Sequence, residues 1–204
     1  MMSNEIQKIN DLPSITEIRK RSQGLALLDA IIMPEWEYRY FSFNCKWDEG
    51  GSEMMASMRD GSGGEYFLHF SGSGAVGKVL FEQSVDDASL LLSRVPDCFS
   101  SFKNETAFKL DDTTFYFWRV NEGKEWSALP NNLSSYALLG FLVGGDAYYH
   151  SWAESYYEKN IDAEVLKEVF ISLNIDPQQL ATLNPDITFE DLGNDLAQIL
   201  GSSQ

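Results

Sequence analysis

Histidine and cysteine are nearly absent from this chain, with two of each in 204 residues. His69 and His150 are too few to build a site from several imidazoles. Cys45 and Cys98 are too few for a disulfide framework, and a pair of thiols in a chain of this length points to a reducing cytosol. Basic residues are scarce as well. Fifteen Lys and Arg stand against 31 Asp and Glu, a formal charge of −16, and a field of that sign repels phosphate backbones and anionic lipid. Nucleic acid and membrane surfaces are therefore not expected partners. Long apolar runs are missing too. The longest, Tyr136 to Val143, contains Gly140 and falls far short of the roughly 20 residues that span a bilayer. The opening stretch MMSNEIQKINDLPS has no apolar region of the kind a signal peptide carries, so the expected location is the cytoplasm.

What is present is apolar and aromatic. At 44% and 13% of the chain, these residues suffice for a full core. Residues 1–12 read as a polar, disordered tail and residues 13–204 as one domain. The acid is unevenly spread: residues 121–204 hold 13 Asp and Glu against Lys124, Lys159 and Lys167, while residues 1–120 hold 18 acids and 12 bases. The C-terminal part is the acidic pole.

Ser14 to Glu17 has the form of a helix-opening capping box. The helix runs to about Met33, where Pro34 denies helical geometry to the residue before it. Aromatic and polar residues alternate from Trp36 to Trp47, as in a strand. Further strands are expected at Glu53–Arg59, Glu65–Phe70 and Ala75–Glu82, joined by Gly-rich turns that tolerate positive φ. Residues 86–104 read as irregular helix around Pro96. A hairpin follows from Ala107–Phe108 and Thr113–Val120 to Trp126, with Phe115 and Phe117 on one face and Tyr116 and Trp118 on the other, so that this strand is buried on both sides. Helical signals dominate after Ser134, including capping patterns at Asp176–Gln179 and Thr188–Asp191. The expected class is α+β: an antiparallel sheet over 36–126 packed with helices over 134–200.

The stretch FSGSGAVGKV, Phe70 to Val79, satisfies both GxxxxGK and GxGxxG. Each pattern binds phosphate only where a strand gives way to a helix whose N-terminus faces the anion. Here Val79 stands where a P-loop has its magnesium-binding hydroxyl, and Lys78 to Glu82 alternates like a strand. A hairpin is expected instead, with Lys78 an exposed strand residue and no nucleotide or other cofactor implied.

His150, Glu154 and Glu158 recur at four-residue spacing and would share a helical face, but a metal shell draws ligands from several elements; no metal is expected. On the opposite side Tyr149, Trp152, Ala153 and Tyr156 form the core-facing stripe, with Tyr148 and Tyr157 off it. No GxSxG or HExxH motif occurs.

Four phrases are more specific than any of these: Met55 to Asp60 with Tyr66-Phe67; Thr113-Thr114-Phe115 with Trp118-Arg119; Tyr149 with Trp152-Ala153 and Tyr156-Tyr157-Glu158; and Leu183-Asn184-Pro185-Asp186. In this order the chain resembles, over roughly residues 40–192, a family of bacterial cytosolic proteins of about this size. The resemblance implies one α+β unit and carries no assigned activity.

The function expected from the sequence is non-enzymatic protein binding. The acidic surface would hold or neutralise a basic protein, as immunity proteins do, through Glu164, Glu168, Glu190 and Asp195, with Trp118, Arg119, Trp152 and Tyr157 as anchors. The alternative is an enzyme or small-ligand binder with a pocket between sheet and helices, using His150, Glu154 and Arg59.

Overall fold

The computed structural model describes residues 5–131 and 133–201. The first helix, α1 (Ile15–Ile32), opens on Ser14, whose hydroxyl accepts from the Glu17 amide. Glu17 does not complete the box; its carboxylate turns instead to Arg21, one helical turn on. Gly24 lies mid-helix because a later helix crosses it there: a Cβ on Gly24 would stand 2.6 Å from the Phe170 ring. The helix ends before Pro34, with Met33 at φ −125 and ψ 87.

Four strands follow: β1 (Phe41–Asn44), β2 (Met54–Arg59), β3 (Glu65–Ser71) and β4 (Gly74–Leu80). The expected strand from Trp36 is shorter than its alternation suggested. Trp36–Tyr38 forms a 3-10 turn, because the Arg39 guanidinium donates to the carbonyls of Met33 and Pro34 and folds the chain back on itself. Past two short helices, α2 (Ala88–Ser93) and α3 (Ser100–Lys103), come β5 (Phe115–Val120) and β6 (Ser127–Leu129). Ala107 and Phe108, expected to begin a hairpin, belong to a 3-10 turn, Thr106–Phe108. The six strands form one antiparallel sheet in sequence order. A fold with this sheet and the helices α4 (Gly140–Tyr156), α5 (Ala163–Ser172), α6 (Pro177–Leu183) and α7 (Phe189–Leu200) is α+β, as expected. Both C-terminal capping boxes form, at Asp176 with Gln179 and at Thr188 with Asp191.

Pleating gives the sheet two apolar faces. Ala56, Met58, Tyr66, Leu68, Phe115 and Phe117 join α1, α4, α5, α6 and α7 in the main core. Met55, Phe67, Val76 and Tyr116 face a smaller core under Val95, Phe99, Phe102 and Phe108. β5 is apolar on both faces because it lies between the two.

Two further expectations are corrected. Residues 5–12 are not a free tail: Ile9 and Leu12 are buried, Ile6 forms a β-bridge with Tyr136, and the Asn10 side chain accepts from the Trp126 amide. Their apolar residues are spaced too irregularly to signal an element, yet they cover the sheet beside β6. Residues 1–4 of that expected tail lie outside the described residues. Lys78 is not exposed. Its side chain is fully buried, and its ammonium donates to Glu65 at 3.0 Å and to the carbonyls of Lys109 and Asp112 at 3.1 and 2.7 Å. The 109–112 loop closes over it, a long-range contact that strand periodicity cannot reveal.

Among the described residues no helix is long and apolar enough to cross a membrane. Cys45 and Cys98 are both free thiols.

Candidate functional site

The turn Gly72–Ser73 joins β3 to β4, and Lys78 lies within β4, not at the start of a helix. The phosphate-binding patterns therefore describe a hairpin. Gly74 is required there: at φ +135, a Cβ would stand 2.2 Å from the Arg119 carbonyl of the neighbouring strand.

The most strongly perturbed acid is one that sequence reasoning passed over. Leu25 to Ile32 is apolar except for Asp29, and all eight residues are buried. The Asp29 carboxylate receives four donors. Oδ2 accepts from the amides of Tyr40 and Phe41 at 2.7 and 2.9 Å, and Oδ1 accepts from the hydroxyls of Tyr149 and Tyr157, both at 2.8 Å. These donors match the four lone-pair positions of an ionised carboxylate. Burial pushes its pKa up to about 6, while the four hydrogen bonds pull the other way. Burial likewise raises the Tyr149 and Tyr157 hydroxyls well above the usual tyrosine value, and the neighbouring carboxylate adds to this. A lone acid in a stretch this apolar was the available signal.

The tyrosines reach Asp29 because, past the kink that Gly145 (φ +59) makes in α4, every fourth residue of the helix and its C-cap is buried: Tyr149, Ala153 and Tyr157. Small residues alternate with rings along this row, so the helix lies close to α1. Tyr157, expected off the core stripe, is on the row. Tyr156, expected on the stripe, is exposed. The end of α4 carries a ring cluster in which half-buried Trp152 meets Tyr40 at 4.5 Å, Phe141 at 5.3 Å, Tyr156 at 5.1 Å and Tyr157 at 5.4 Å between centroids.

By holding the Tyr40 and Phe41 amides, Asp29 also fixes the wall of a cleft of about 430 Å³ at the β1 edge of the sheet. Arg59, Ser42, Ser57, Trp36, Tyr38 and Tyr156 line it.

The expected sites disperse. His150 donates from Nε2 to the Ile161 carbonyl at 2.8 Å, and Glu154 accepts the Ile161 amide at 3.1 Å, so the pair closes the turn after α4. Glu158 lies beyond the helix with φ +52 and leaves their face. Neither His150 nor Glu154 lines the cleft that contains Arg59, so the enzymatic constellation is not assembled.

Of the expected anchors, Trp118 packs against the smaller core, on the sheet face away from α5, α6 and α7. The Arg119 guanidinium donates to the Gly123 carbonyl and braces a turn. Trp152 and Tyr157 serve the core. Asp195 is held by Arg39 at 2.7 Å, in a pair whose arginine is 7% exposed. Of the expected set, Glu164, Glu168 and Glu190 are exposed on the surface, with Glu168 accepting from the Gln179 side-chain amide at 3.1 Å.

No family model, no curated protein and no solved structure matches the chain.

Proposed function

We propose that this chain is a protein-binding module of the bacterial family that its four phrases resemble, and that its acidic helical layer holds a basic protein partner in the manner of an immunity protein. One observation carries the reading. Of the eight acids between residues 160 and 201, all but Asp195 are exposed, and Lys167 is the only base among them. Asp162, Asp176 and Asp191 cap helices, yet capping occupies one side of a carboxylate and leaves its charge in solvent. Glu164, Glu168 and Asp176, with Lys167 as the one base among the lining residues, rim an open groove of about 500 Å³ beside Ile171, which is 65% exposed. Carboxylates around an apolar side chain suit the aliphatic stem and charged head of lysine or arginine.

The test is capture from a bacterial extract at low and high salt, with the wild-type chain beside a Glu164→Lys, Glu168→Lys, Glu190→Lys variant. A basic protein retained by the wild type at low salt, released at high salt and lost with the variant supports the reading. Exposed charges are screened beyond about 8 Å at physiological ionic strength, so the loss falls mainly on the association rate. A partner recovered equally in both salts, or by both proteins, removes its main support.

A further inference from the structure

We infer that the cleft at the β1 edge binds a small flat molecule carrying an oxyanion. This does not rest on the acidic layer, whose groove lies between α5 and α6.

The ring preference comes from Trp36, Tyr38 and Tyr156. They are 54%, 57% and 46% exposed, and they account for three of the six large apolar side chains left exposed among the described residues. All three border this one cleft. Aromatic rings left this open around a concavity offer faces for stacking, and such sites join mostly apolar walls to a few placed polar groups. The cleft volume of about 430 Å³ is that of a small-molecule site.

The polar groups are placed by the sheet. Ser57 and Arg59, two residues apart on β2, point to the same face, and Ser42 stands opposite Ser57 in register. Arg59 is exposed, and among the described residues no carboxylate lies within ion-pair distance of it. Its cross-strand neighbour Glu65 is taken by Lys78. Its guanidinium sits 5.6 Å from the Phe67 ring centre, which steadies it. The Ser42 and Ser57 hydroxyls are 2.6 Å apart. One donates to the other, and the second proton has no acceptor among the described residues. An unpaired guanidinium and a spare hydroxyl proton along one strand pair form a donor set for a carboxylate or phosphate.

The acids nearby are accounted for. Asp195 is bound to Arg39, and Asp60 accepts the amides of Ser62 and Gly64. Glu37 alone is a free acid in the lining, and its charge opposes the ligand.

The experiment is an amide NMR titration of the whole chain with phenyl phosphate and with phenylacetate, using phenol and inorganic phosphate as controls. Saturable shifts confined to residues 36–42, 57–61 and the neighbourhood of Tyr156 are expected with one or both ring-bearing anions, and the stronger of the two identifies the oxyanion. Arg59→Gln should weaken binding about tenfold or more, and Trp36→Ala should weaken it without unfolding the chain. Glu37→Gln should tighten it. Absence of saturable shifts with both anions would overturn the inference. So would phenol or inorganic phosphate binding as tightly as phenyl phosphate, or an Arg59→Gln variant that binds like wild type.

Discussion

The Tyr157 hydroxyl donates to Asp29 Oδ1 at 2.8 Å across 128 residues of sequence. With Tyr149 on the same oxygen and two amides on the other, this contact ties α1, β1 and the end of α4 to one buried charge. A buried acid usually threatens stability; here its four lone pairs are filled, and its removal would orphan four donors at once.

Asp29→Ala is therefore expected to destabilise the fold by about 3–5 kcal/mol, since each buried donor without a partner carries its desolvation cost. Asp29→Asn should cost less, about 2–3 kcal/mol, because its carbonyl still accepts the two backbone amides and its amide can donate to the tyrosine oxygens, while only the two hydroxyl protons lose their acceptor. Urea unfolding of the three proteins measures this, and an Asn variant as weak as the Ala variant would show that charge, not satisfaction, holds the knot.

The same carboxyl makes stability depend on pH. Its pKa is about 6 in the fold against an ordinary 3.8, so between these values the native chain holds a proton that the unfolded chain has released. The contribution is fully present below pH 3.8 and is lost as pH rises through about 6, a change of about 3 kcal/mol. Asp48, Asp97 and Asp191 are shifted down by hydrogen bonds and act in the opposite direction. Subtracting the pH profile of Asp29→Asn removes them. The wild-type advantage over this variant should shrink from pH 4 to pH 6, and a flat difference would exclude Asp29 as the titrating group.

Lys78→Ala should cost about 2–4 kcal/mol by leaving Glu65 and two carbonyls without their shared cation. A surface lysine would cost within about 0.5 kcal/mol, so thermal unfolding of one variant separates the two. Because the ammonium is enclosed, ATP should leave the melting temperature of the wild type unchanged.

Asp195→Lys would set a second cation against Arg39 and is expected to cost about 2–4 kcal/mol. Reversal of Glu164, Glu168 and Glu190 together should leave the midpoint of urea unfolding nearly unchanged. A triple variant that unfolds like Asp195→Lys would mean these three carboxylates also serve the fold.

Much of the architecture was legible because it is local. Capping at Ser14, Asp176 and Thr188 depends on residues within one turn. The strands β2 to β5 show in their period of two, and the glycine turns between them in the chemistry of positive φ. Phe115 to Trp118 announced a strand covered on both sides, since no solvated face would carry four aromatic residues in a row. Gly24 has a low helix propensity, and what places it in α1, the approach of Phe170, is not local.

The sequence by itself determined the strand meander, the helix caps, the excess of acid in the C-terminal layer and the absence of a helix after Gly77. Each follows from neighbours in the chain or from composition. Only the tertiary structure decided that Lys78 is enclosed, that Asp29 receives Tyr149 and Tyr157, that Asp195 belongs to Arg39, and that Arg59 shares a cleft with Trp36 and Tyr156 and not with His150. The physical reason is common to all four. A charged side chain looks alike in sequence whether it is solvated or buried, and what distinguishes the two is the arrival of partners from distant elements, which periodicity does not record.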